Sequence, residues 1–209
     1  MEIQSLPVGP IGTNCHFAID EATKQTVLVD PGDEAPALIA HLHGERLVLA
    51  AILVTHGHPD HITALADLSD AYPEVPIWFP SGDLAWAFEP ANAIPGLLPV
   101  PRRPATTPTP ATDGLRLDIA GTAWHCIATP GHTPGGVCWH LPAANALFTG
   151  DTLFAGSVGR TDLPGGDWTT LCASLRRLAA FPGSPSIHPG HGPSSTLDTE
   201  RRTNPYLSL

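Results

Sequence analysis

Apolar and polar positions change period several times along the 209-residue chain, and each change marks an element. Residues 2–8 and 14–19 read as short strands joined by the turn Gly9-Pro10-Ile11-Gly12-Thr13, and residues 26–30 as a third strand closed by Pro31-Gly32. Residues 35–42 have helical character. The eight apolar residues 47–54 predict a strand buried on both faces. A short helix is expected over 60–70, with Ile62, Leu65, Ala66 and Leu68 as its apolar positions. Residues 75–79 predict a strand that Pro76 keeps short or at an edge. Between Pro90 and Pro110 lie seven prolines and little periodicity, which excludes helix and central strand. That stretch reads as an extended connector over the surface, with a substrate lid as the alternative. Alternation at 115–119 marks a half-buried strand, and strands follow at 122–128, 136–141, 146–149 and 186–188. An amphipathic helix over 168–180 puts Leu171, Leu175 and Leu178 on one face. Strands and helices alternate in two rough halves, the mark of a layered α/β protein.

Composition narrows the function. The chain is 42% hydrophobic, and its length suits a single domain over 1–209 with one full core. Its formal charge is −10, with Lys24 the only lysine, and no Lys/Arg cluster offers a stripe for phosphates. Nucleic acid is therefore excluded as the main partner. No segment approaches the roughly 20 apolar residues of a membrane span. The opening Met1-Glu2-Ile3-Gln4 has neither the basic residues nor the apolar run of a secretion signal, so a cytoplasmic location is expected. Cys15, Cys126, Cys138 and Cys172 have no metal spacing and no CxxC pair, and read as buried thiols.

The chemistry concentrates in Thr55-His56-Gly57-His58-Pro59-Asp60-His61, directly after the buried strand. Extended backbone sends His56 and His58 to one side, and the first turn of the following helix carries Asp60 and His61. Two imidazoles thus face one point, and a carboxylate with an imidazole faces a neighbouring one. Three later glycine-rich turns each add one donor: His132 in Pro130-Gly131-His132, Asp151 in Thr149-Gly150-Asp151, and His191 in Pro189-Gly190-His191. Five histidines and two aspartates together suit two adjacent divalent cations. Zinc fits such a donor set, as do iron and manganese. Two cations about 3.5–4 Å apart can share and ionise one water facing an ester-like carbonyl. The remaining histidines (His16, His41, His43, His125, His140 and His188) read as structural or solvated.

These motifs resemble those of the metallo-β-lactamase superfamily: HxHxDH, then a histidine, an aspartate and a final histidine, in order. The resemblance implies an αββα sandwich of two mixed sheets. It places one metal on His56, His58 and His132, a second on Asp60, His61 and His191, and Asp151 as the bridge. It also gives Asp60 a catalytic part, orienting the attacking water. Asp30, in a DPG turn, has a reading as support for the metal loops and another as a plain turn former. The segment from Asp151 to Asp167, with Gly159-Arg160-Thr161-Asp162 and Pro164-Gly165-Gly166-Asp167, is similar to that of glyoxalase II-like hydrolases. So is the ending from Pro189 to Pro205, which matches their short single-domain branch.

Hydrolysis of a small-molecule thioester, S-lactoylglutathione or a related acyl-thiol, is the activity implied. Full-length glyoxalase II carries a further helical domain after its final histidine that supplies much of its glutathione grip, whereas the sequence here runs only to Leu209, soon after His191, which puts the glutathione part of the resemblance in question. Arg160 stands where those enzymes place a basic substrate contact; a salt bridge to Asp162 or Asp167 is its other reading. Arg201 and Arg202 are expected to cap the C-terminal helix or pair with acids. The competing activities are a single-iron persulfide dioxygenase, a lactonase and a metal-binding scaffold without turnover. The PGGD continuation and the complete ligand set favour the hydrolase.

Overall fold

The computed structural model describes residues 1–207. One six-stranded mixed sheet contains β1 (Glu2–Val8), β2 (Thr13–Ile19), β3 (Gln25–Val29), β4 (Val48–Leu53), β5 (Ile77–Pro80) and β6 (Thr109–Ala111), in that spatial order. β1 to β3 form an antiparallel meander, whereas β3 to β6 run parallel. Parallel neighbours need crossovers. α1 (Ala35–Gly44) joins β3 to β4, and α2 (Pro59–Ile62) with α3 (Leu65–Ala71) joins β4 to β5.

The second sheet draws on β7 (Arg116–Ile119), β8 (Thr122–Ala128), β9 (Val137–Leu141) and β10 (Ala146–Gly150). After a small hairpin of β11 (Leu153–Phe154) and β12 (Ser157–Val158) and the helix α4 (Trp168–Ala179), it gains β13 (Ser186–Pro189) and β14 (Ser195–Thr196). Its spatial order is β14-β13-β10-β9-β8-β7. α5 (Leu197–Thr203) follows.

Alternation along the strands builds three apolar layers. Val27, Val29, Ala51 and Leu53 point between the sheets and meet Trp124, Trp139 and Phe148. Their neighbours Leu28 and Ile52 point outward, under Leu38 and Leu42 of α1 and Leu65 and Leu68 of α3. On the other side Ile127, Leu147 and Ile187 lie under Leu171, Leu175 and Leu178 of α4. The molecule is the αββα sandwich, two mixed sheets with helices on their outer faces.

Strand direction decides where the ligand turns go. In the second sheet β8 and β10 are each antiparallel to β9, and β13 is parallel to β10. The turns after β8, β10 and β13 therefore all emerge at one end, with His132, Asp151 and His191. In the first sheet the turns after β3, β4 and β5 share an end with the start of antiparallel β2. The two ends are tied across the sandwich: Val137 N–H donates to the Thr55 carbonyl at 2.9 Å, and Asn14 N–H to that of Gly190 at 2.7 Å.

Several expectations need correction. The helix expected over 60–70 is two helices: Thr63 N–H still bonds the Pro59 carbonyl but shares itself with that of Gly32, and Ala64 N–H leaves the helical ladder for the Pro31 carbonyl. The strand expected over 47–54 begins with Val48 at 55% exposure, so its first residue is not covered on both faces. The connector between Pro90 and Pro110 contains a short helical turn at Pro90–Asn92 and ends in β6, where Pro110 occupies an edge and leaves no partner without its N–H. All four cysteines are buried and free. None of the described helices is long and apolar enough to cross a membrane.

Candidate metal centre

The turn after β4 places His56, His58, Asp60 and His61 within one short stretch, all buried. Donor atoms of His56, His58 and His132 lie within 4.8 Å of one another, and so do those of Asp60, His61 and His191. His58 Nδ1 is 2.9 Å from His132 Nε2. Asp60 Oδ2 is 3.2 Å from His191 Nε2 and 3.3 Å from His61 Nε2. Asp151 reaches both groups: its oxygens lie 3.4 Å from His61 Nε2, 3.5 Å from His132 Nε2 and 3.6 Å from His191 Nε2. Nitrogen ligands at ~2.0–2.1 Å around a tetrahedral cation stand ~3.3 Å apart, inside this spread. All seven residues singled out in the sequence come together.

Hydrogen bonds behind the cluster fix which nitrogen is free on three of the five rings. His132 Nδ1 donates to the Arg160 carbonyl at 2.7 Å, which leaves Nε2 with its lone pair. His61 Nδ1 donates to Asp30 Oδ2 at 2.9 Å, with the same result. The Thr55 hydroxyl donates to Asp30 Oδ2 at 2.6 Å, so its oxygen accepts from His56 Nδ1 at 3.1 Å. One buried carboxylate, Asp30, thus orients two imidazoles, in the manner of acids behind metal-bound histidines. It holds the strained φ of 55° that turns the chain towards the cluster. Its Oδ1 also accepts from Thr55 N–H at 2.7 Å.

The centre contains unpartnered polar atoms. His56 Nε2, His61 Nε2 and Asp151 Oδ1 are buried and have no hydrogen-bond partner. Each such atom costs about 1–3 kcal/mol if left unsatisfied. Gly190 comes so close that a Cβ there would meet Asp151 Oδ1 and His61 Cε1. Lone pairs converging on one small volume fit a pair of divalent cations.

Electrostatics agree. Burial and then the neighbouring imidazoles push His56 far down, and burial followed by His132 lowers His58 to about 4, so both are neutral donors at pH 7. At the other group burial opposes charge on His61 and His191, yet Asp60 and Asp151 raise both. Burial likewise disfavours ionised Asp60 and Asp151, but His61 above all holds both carboxyls below their usual range. This part of the centre demands positive charge.

Three supports had no signal in the sequence. Thr13 Oγ1 donates to Asp60 Oδ2 at 2.9 Å. Asn14 Nδ2 bonds the carbonyls of Pro189 and Gly192 on either side of His191, at 3.0 and 2.9 Å. Asp83, wholly buried, accepts from Gly57 N–H at 2.9 Å, Thr133 Oγ1 at 2.7 Å and Gly135 N–H at 2.6 Å, and so joins the turns of His58 and His132. Their partners lie 26 to 178 residues away in the chain, beyond any local pattern.

The other residues of interest lie outside the cluster. The Arg160 side chain stands at the wall of the cavity above the metal centre, and its guanidinium chelates Asp162 at 2.6 and 2.7 Å. Arg201 bonds the carbonyls of Ala179 and Gly183 at 2.9 and 2.7 Å, tying α5 to the end of α4. His16 donates to or accepts from Ser5 and contacts the Pro189 carbonyl at 3.1 Å, a structural role beneath the His191 turn.

Comparison with known proteins matches the same features. Residues 8–196 fit the model of the metallo-β-lactamase superfamily. Hydroxyacylglutathione hydrolase GloC of Haemophilus influenzae is 34% identical over 211 residues, covering 100% of this chain and 99% of that protein. The crystal structure of the BLEG-1 B3 metallo-β-lactamase superposes with a TM-score of 0.91 at 35% identity, covering all of both chains. That of TTHA1623 in a di-iron-bound form gives 0.84 at 39% identity, covering 97% of this chain and 99% of the other. Fold and sequence agree, and this chain belongs to the metallo-β-lactamase superfamily.

Proposed function

We propose that the chain is a two-metal thioester hydrolase of the glyoxalase II kind. The observation that carries the reading is the Asp151 carboxylate, within 3.6 Å of imidazole nitrogens from both triads at the floor of an open cavity. His56, His58 and His132 would hold one divalent cation and Asp60, His61 and His191 the other, with Asp151 within reach of both. The family and the His/Asp clusters make it a metal-dependent hydrolase. The thioester as substrate is supported by the similarity to GloC, and a pair of bound metals by the di-iron relative. Zinc, iron and manganese all suit the donors.

Cations held there would supply a water of near-neutral pKa and a Lewis acid for a substrate carbonyl. The protein's own groups do the rest. Asp60, fixed by Thr13, accepts a hydrogen bond from the attacking water and sets its lone pair towards the acyl carbon. The water adds to that carbon, the carbon–sulfur bond breaks, and the products are a carboxylate, a thiol and one proton. Trp86, with its ring 5.7 Å from that of His58, stands beside the cluster in the cavity wall.

Metal analysis of protein from its own host, coupled to an assay of thiol release from S-lactoylglutathione, tests the reading. Two metal equivalents with turnover are expected. One iron, no thiol release and oxygen uptake with glutathione persulfide would replace hydrolase by dioxygenase.

A further inference from the structure

Above the metal centre lies a cavity of about 840 Å³, within the roughly 300–1,000 Å³ typical of small-molecule sites. Its floor is His58, His132, His191, Asp60 and Asp151, and its walls are apolar. Ile11 comes from the β1–β2 turn, Trp86 and Ile94 from the segment after β5, Phe154 and Val158 from the β11–β12 hairpin, and Leu163 from the loop beyond Arg160. Ile11 and Ile94, at 42% and 36% exposure, form a greasy rim open to solvent. Asn92 and Arg160 interrupt these walls, and the nitrogen donors of each have partners. Asn92 Nδ2 donates to the carbonyls of Gly57 and Ala87 at 2.8 and 2.6 Å. Arg160, the one Lys or Arg of the lining, is chelated by Asp162.

We infer that this cavity selects thioesters by an uncharged, aliphatic acyl or thiol portion and not by glutathione. The inference rests on the thioester reading above and names its substrate class. A glutathionyl group carries two carboxylates and an ammonium. Here its charged ends would meet mostly hydrocarbon walls, with Arg160, itself paired to Asp162, the one arginine among them. Stripping water from those charges without a partner is unfavourable. Methylenes entering the same space gain about fourfold in binding each, the equivalent of ~0.8 kcal/mol per buried CH₂.

The test uses the metal-loaded protein and two probe series. One is the N-acetylcysteamine thioesters of linear acids from two to six carbons, compared with S-lactoylglutathione and S-lactoyl-N-acetylcysteamine. The other is the matching ketones, in which a methylene replaces sulfur and nothing can be hydrolysed, titrated by calorimetry. kcat/KM and ketone affinity should each rise about fourfold per methylene, on the order of a hundredfold across the series. S-lactoylglutathione should be no better than its neutral counterpart, and Arg160→Ala should change its KM less than threefold. Ile94→Ser should flatten the chain-length slope in both series. A flat slope, a tenfold preference for the glutathione ester, or a tenfold rise in its KM on losing Arg160 would overturn the inference. Ketone binding with the expected slope but no thioester turnover would uphold the cavity's selectivity and reject the reaction. Turnover without a slope would do the reverse.

Discussion

Replacing Asp83 should loosen one metal triad and leave the other in place. Its Oδ2 accepts from Gly57 N–H and Thr133 Oγ1, its Oδ1 from Gly135 N–H, and no part of it is exposed. Burial raises its pKa, against the pull of these donors. Asp83→Ala strands three donors at about 1–3 kcal/mol each. Water entering the vacated space recovers part of that, so a loss of about 3–5 kcal/mol is expected. Asp83→Asn can keep its carbonyl facing Gly57 and Thr133, but then turns its amide donors towards Gly135 N–H. One lost bond of this kind predicts a loss of about 1–3 kcal/mol. Gly57 separates His56 from His58, and Thr133 follows His132, so the damage falls on the three-histidine triad. Asp60 and the His191 turn remain held by Thr13 and Asn14. Losing such a support costs about 10–100-fold in metal affinity. Urea unfolding of the loaded variants measures the first effect, and competition with a graded chelator the second. One of the two metals should leave Asp83→Asn early. Stability within 0.5 kcal/mol of the parent (roughly the scatter of neutral surface changes) for both variants, with unchanged release of both metals, would refute the reasoning.

Other outcomes follow from the same geometry. Asp60→Asn should retain metal on the three-histidine side and lose most turnover, as single-turnover thiol release would show; near-normal rates would deny Asp60 its orienting part. Removing metal with a chelator should lower Tm sharply, because a ligand at a thousand times its Kd adds about 4 kcal/mol to the folded state; an unchanged Tm would mean that the cluster is satisfied without cations. Acid should destabilise the fold through His16, lowered to about 3 by burial and then by His188, and through His188, lowered to about 4 by burial. Below pH 6.5 the unfolded chain takes up protons that the folded chain refuses, so stability is full above that pH and falls towards pH 4. The slope should reach about 1.4 kcal/mol per pH unit for each group, and urea unfolding in His188→Asn should show a shallower fall than the parent.

The donors were legible in the sequence because four are crowded into one turn, residues 56–61, and the other three each follow a glycine in a short turn. Strand ends were equally plain where the chain alternates cleanly, as in Thr122–Ala128, which occupies the expected residues. What was hidden depends on distant partners. The break between the two helices comes where Ala64 N–H turns to the Pro31 carbonyl, and nothing within residues 60–70 announces it. Asp83 is one acid in an irregular segment, given meaning by donors 26, 50 and 52 residues away. The two-residue strands β11, β12 and β14 are too short for a period. The apolar cavity escaped for a related reason: its walls come from separate loops, each with one or two hydrophobic residues of no local significance.

Anomalous diffraction from crystals of the metal-loaded protein tests the central claim most directly. The account requires two metal peaks, one contacted by His56, His58 and His132, the other by Asp60, His61 and His191, with the Asp151 carboxylate touching both. A single peak at full occupancy, or two peaks with Asp151 beyond coordinating distance of either, would contradict it.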